Sequence, residues 1–167
     1  MTVIDTTEPT LHPANPLVES VARVRFRQPV SGAGFVDAGW WPRSRSLAIE
    51  LPPLLEELWT AGREITRVAY NLDFWAPAPK QLIVEGRTIK LGGYRMQNPS
   101  LLSMMDLWSS ERIDVLVIDP DADPEFAHRA LEIASQPGPA PRHGADLSGA
   151  GGYLRPADIL RLAATSG

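Results

Sequence analysis

The chain has no cysteine among its 167 residues, which removes disulfides, thiol nucleophiles and thiolate-bound zinc together. No run approaches the roughly 18 consecutive apolar residues of a membrane-spanning helix. Lysine is scarce: Lys80 and Lys90 stand against fourteen arginines. With plentiful alanine, glycine and proline, that bias fits a GC-rich coding genome. Histidine occurs three times, as His12, His128 and His143, and none has a neighbouring ligand at metal spacing. The first twenty residues, MTVIDTTEPTLHPANPLVES, carry neither a basic stretch nor an apolar core. They do not read as a signal peptide, and the expected compartment is the cytoplasm. The motifs of common hydrolases and nucleotide binders are missing as well: there is no GxSxG, HExxH, SxxK or Walker A loop. No cofactor and no metal is implied.

What is present is an ordinary globular composition, 44% hydrophobic and 22% charged. A chain of this length buries about two-thirds of its surface, which suits one domain with one core. The net charge is -4. Residues 1–100 hold 11 basic and 10 acidic side chains, and residues 101–167 hold 5 and 10. A mildly acidic whole excludes constitutive, non-specific nucleic-acid binding, which needs a basic footprint. A small anionic ligand or a partner protein is the expected partner, and a membrane is not.

Residues 1–19, with three prolines among polar residues, read as a flexible N-terminal arm. Residues 20–136 read as a single α+β domain. Residues 137–167 read as a Gly/Pro-rich linker and a short C-terminal helix over Tyr153 to Ala164. Within the domain, VARVRFRQ alternates apolar residues with Arg23, Arg25 and Arg27, so it predicts a strand with one arginine face. That face is expected to be solvated. After a turn over 29–34, a second strand covers Phe35 to Trp41. Pro52 and Pro53 predict a short turn over 45–50 and a helix from Pro52 to Ala61, because proline is tolerated in a helix's first turn and not in its middle. Strands follow over Glu64 to Asn71, Lys80 to Glu85, Arg87 to Leu91, Leu101 to Leu107 and Arg112 to Ile118. Glu85-Gly86 and Ser109-Ser110 are the hairpin turns. Asp123-Pro124-Glu125 opens a helix running to about Ser135. This succession of hairpins predicts an α+β fold with a curled, mainly antiparallel sheet of six or seven strands and two main helices.

Most candidate motifs have plain readings. Asp119 to Glu125 is dense in acids, but Pro124 and Ala130 stand where a calcium loop needs glycine and glutamate. Acids gather there because a helix N-terminus favours them. One constellation has more chemistry. Trp40, Trp41, Arg43 and Arg45 flank a helix start, where free N–H groups attract anions. Asn71, Asp73 and Trp75 lie at the end of the third strand, and Tyr94 and Arg95 follow the fifth. The aromatic rings supply flat walls, the arginines grip an anion, and Asn71 and Asp73 hold hydroxyls or a base edge. A non-catalytic binding or regulatory module for an anionic or aromatic ligand, or for a partner protein, is the leading reading. The alternative is a small enzyme with Asp73 as general base and Arg43 or Arg95 as anion clamp. A closed structural cluster competes with both. In it, Asp73 pairs with Arg43 or Arg95 while the tryptophans cap the core, and the density of aromatic residues favours this arrangement.

The segments GFVDAGWWPRSRSL, RVAYNLDFWAPAPKQL, GRTIKLGGYRMQ and DPDADPEFAHRAL together resemble an actinobacterial family of small proteins of unknown function. GWWPRSR, YNLDFW and LGGYR are the signature segments. The resemblance covers about residues 21–134. It implies a compact α+β domain and no particular reaction.

Overall fold

The computed structural model describes residues 23–27, 36–108, 110–136 and 156–165. The N-terminal arm, the turn over 29–34, residues 137–152 of the linker, Ser109, His12 and His143 lie outside the described residues. The alternating arginine segment forms β1 (Val24–Phe26), and β2 (Ala38–Trp40) pairs with it antiparallel. Side chains alternate across β2 and the residue after it. Trp40 therefore enters the core on one face of the sheet, and Trp41 enters a second core on the other.

Leucines 47, 51, 54, 55 and 58 make one apolar stripe, and they form a single helix, α1 (Leu47–Thr60). The expected break before Pro52 does not occur, and both prolines lie inside the helix. Each removes one backbone N–H, which leaves the carbonyls of Ala48 and Ile49 without their helical donors. Ile49 points to solvent, so this side of the helix can be hydrated. All five leucines are essentially inaccessible, and packing on the sheet outweighs the local penalty.

The remaining strands are β3 (Ile65–Asn71), β4 (Gln81–Val84), β5 (Arg87–Tyr94), β6 (Leu101–Asp106) and β7 (Arg112–Val117). Glu85 and Gly86 both take positive φ between β4 and β5, as a tight two-residue hairpin turn requires. Asp123 caps α2 (Pro124–Ser135) by accepting a hydrogen bond from the Glu125 N–H. The last helix is α3 (Pro156–Thr165).

The fold is α+β, but the expectation of a curled, mainly antiparallel sheet with two main helices is corrected. Among the described residues seven strands form an open sheet in the order β1-β2-β7-β6-β3-β5-β4, with β1 and β4 at its edges. It is mixed: β2–β7 and β3–β5 are parallel, and the other four pairings are antiparallel. Among the described residues there are three helices. The parallel pairs arise from long connections. One runs through α1, and the other carries residues 72–80 across the end of β5 to the far edge. α1 covers one face, over Trp40, Val68 and Trp75. α2 and α3 cover the other beside Trp41, Leu116 and Ile118, where Ile159 and Ala163 of α3 are buried. No helix among the described residues is long and apolar enough to cross a membrane.

The mixed pairing has one consequence for the site. β2, β7, β3 and β5 all run the same way, so their carboxyl ends lie at one end of the sheet. The connections that leave there are 41–46, 118–123, 72–80 and 95–100. They include the tryptophan-arginine, Asn-Leu-Asp and Tyr-Arg segments singled out in the sequence.

Candidate functional site

These connections are laced together by hydrogen bonds. The Ile118 N–H donates to the Trp40 carbonyl, the Ala76 N–H to the Arg45 carbonyl, and the Leu72 N–H to the Tyr94 carbonyl. The centre of the lacing is Asn71, which is buried at the end of β3. Its Oδ1 accepts from the Asp73 and Phe74 N–H groups, each at 2.8 Å. Its Nδ2 donates to the carbonyls of Arg95 and Gln97. One amide thus fixes the backbone of two segments, and all its hydrogen-bonding capacity is used. Gln97 extends the tie by donating to the carbonyls of Ala69 and Leu101.

The crossing of residues 72–80 over β5 explains Gly93, whereas Gly92 lies against the Tyr94 ring. A Cβ on Gly93 would lie 2.3 Å from Leu72 Cδ2 and 3.0 Å from the Tyr70 ring. Glycine here leaves room for the Leu72 and Tyr70 side chains. Beneath it, Trp75 stacks on Trp40 with centroids 5.5 Å apart and planes at 23°, and Phe74 meets Trp75 edge-on.

Above this aromatic floor is a cavity of about 320 Å³, lined by Tyr70, Leu72, Asp73, Trp75, Ala76, Pro77, Ala78 and Arg95. Asp73 and Arg95 are both exposed. Neither side chain has an ion pair or hydrogen bond among the described residues. The closed cluster expected from the aromatic density is therefore corrected: Asp73 pairs with neither Arg43 nor Arg95. Arg45 pairs with Asp119 at 2.8 Å and lies over the Phe74 ring. The buried indole N–H of Trp75 also finds no acceptor among the described residues.

The structure brings together Asn71, Asp73, Trp75 and Arg95, with Trp40 as the layer behind. It does not bring the others into the cavity. Trp41 lies on the opposite face, where its Nε1 donates to the Asp119 carbonyl and the Arg23 guanidinium sits 3.7 Å above its ring. Arg23 is thus clamped on an aromatic face instead of being solvated as expected. Arg43 stands at the α1 start, but the anion position there is filled by the chain itself. Glu50 accepts from the Arg43 N–H and the Ser44 hydroxyl. Tyr94 is exposed, and its ring lies over Gly92. Tyr70, Leu72 and the Ala76-Pro77-Ala78 wall were not expected from the sequence. The signal that could have found them is the glycine pair inside a strand, which marks a close approach.

A perturbed carboxylate exists, but at the other end of the sheet. Asp37 precedes β2 and is fully buried. Its Oδ2 accepts from the Asp114 N–H, and its Oδ1 has no partner among the described residues. Burial pushes its pKa up to about 6, reinforced by the charge of Asp114 and opposed by that N–H, Arg27 and Arg63. Among the described residues no group of acids or histidines could hold a metal ion.

A family model of unknown function matches residues 23–134, more than half of the chain. The protein belongs to the DUF5994 family. The DUF5994 match takes in every strand, α1, α2 and the whole cavity, and it ends before α3. No curated protein and no solved structure matches the chain.

Proposed function

We propose that the protein is a binding module whose cavity takes a small ligand with an aromatic or apolar body and an anionic group. The observation that carries this reading is the Arg95 guanidinium, without a partner among the described residues, on the same cavity as the Tyr70 and Trp75 rings. Cavities that hold small molecules measure about 300–1,000 Å³, with mainly apolar walls and a few fixed polar groups, and this one is at the small end. A concave site supports a small ligand over a partner protein, which would use a flatter aromatic and arginine surface. Its position at the carboxyl ends of like-directed strands agrees, by analogy alone, with where open sheets bind ligands.

The test is thermal denaturation of the full chain with 3-phenylpropionate and phenyl phosphate. The melting temperature of the parent rises with ligand concentration, as binding to the folded state requires. Arg95→Gln melts like the parent without ligand and loses the rise. A parent that no aromatic anion stabilises refutes the proposal.

A further inference from the structure

The cavity carries both charges. Elsewhere on the surface, arginines have found carboxylates: Arg45 with Asp119, Arg63 with Glu111, and Arg87 with Glu64. Asp73 and Arg95 line one small cavity, opposite in sign, and pair with nothing among the described residues. Their backbones are held by the two ends of the same buried amide, Asp73 by Asn71 Oδ1 and Arg95 by Asn71 Nδ2. The fold thus holds the backbones of an acidic and a basic residue on one rim, and both side chains are exposed to bind.

We infer that the ligand of this cavity is a free α-amino acid with an apolar or aromatic side chain, its ammonium on Asp73, its carboxylate on Arg95, and its side chain against Tyr70, Trp75 and Pro77. The inference rests on the reading of the cavity given above and adds the second charge to it. An α-carbon inside a peptide carries neither charge, and one at a chain terminus carries only one. Of these three, the free amino acid alone carries both charges on one α-carbon. The guanidinium grips a carboxylate through two parallel N–H bonds, and Asp73 as an acceptor-only group suits an ammonium with its three donors.

The experiment is calorimetric titration of the full chain at pH 7 with L-phenylalanine, 3-phenylpropionate, which lacks the ammonium, and phenethylamine, which lacks the carboxylate. Phenylalanine is expected to bind about tenfold or more tighter than either analogue, since each lost contact is a hydrogen bond to a charged group. Asp73→Asn removes its advantage over 3-phenylpropionate, and Arg95→Gln removes its advantage over phenethylamine. Melting curves of both variants without ligand check that each is folded. If 3-phenylpropionate binds as tightly as phenylalanine and Asp73→Asn changes neither, the amino-acid inference is wrong and the anion site stands. If phenethylamine matches phenylalanine, or none of the three binds, both readings fall.

Discussion

Asn71 and Asp73 are two residues apart and differ in what they do for the fold. The Asn71 amide is buried and makes four hydrogen bonds to backbone groups of two segments. Asn71→Ala leaves two donors and two acceptors unmet in a buried place, so it is expected to destabilise the protein by about 2–4 kcal/mol in urea denaturation. Asp73→Asn removes an exposed charge without a partner and is expected to change stability by less than about 0.5 kcal/mol. If the two changes prove equal, Asn71 does not organise the rim. The sequence made Asn71 and Asp73 visible as polar residues between aromatic ones, but it suggested that Asp73 was the buried partner of an arginine. That choice was not legible because it depends on which arginine arrives. Arg45 is taken by Asp119, 74 residues further along the chain, and no local pattern encodes that meeting.

Among the elements, the hairpins were legible because their signals are local. The Glu85-Gly86 turn takes positive φ at both residues, and the sequence supplies glycine, which tolerates it, at the second. The parallel pairs were not legible. β3 and β5 are joined only by way of β4 at the edge, and nothing in either strand alone names the other. α1 was read as broken because proline rules are local while the leucine stripe acts through the sheet. Gly93 shows the crossing most directly, and Gly93→Ala tests it. The added methyl collides with Leu72, whose side chain is exposed and can swing aside, and presses on Tyr70, which is buried. A loss of about 1–3 kcal/mol is expected, as for other overpacked sites. Ligand-induced stabilisation should fall too, because both displaced side chains line the cavity. A variant as stable as the parent with unchanged ligand response would mean that the connection does not rest on β5.

At the scale of the molecule the sheet has two different ends. The carboxyl ends of β2, β7, β3 and β5 carry the open cavity, while Asp37 and Asp114 are buried beside each other where β2 and β7 begin. The sequence named the segments of the first end but could not say that they share it, since strand direction is a property of the whole topology. The second end went unnoticed because Asp37 sits in a run of small and aromatic residues with no partner nearby in sequence. It sets a pH dependence whose sign follows from burial. The Asp37 carboxyl titrates at about 6 in the folded chain against an ordinary value of 3.8. The fold therefore holds its proton more tightly than the unfolded chain does. Its stabilising contribution is complete below about pH 3.8 and is lost as pH rises through about 6. One pKa unit corresponds to about 1.4 kcal/mol, so the full effect reaches roughly 3 kcal/mol. Asp37→Asn cannot ionise and lacks this slope. Carboxylates that do not interact with Asp37 are common to both proteins and cancel in the difference between them. The stability of Asp37→Asn relative to the parent should accordingly rise by up to about 3 kcal/mol between pH 4 and pH 7 and level off above. Urea denaturation of both proteins at intervals across that range measures it, and a difference that stays flat would show that Asp37 is already ionised in the fold at pH 4.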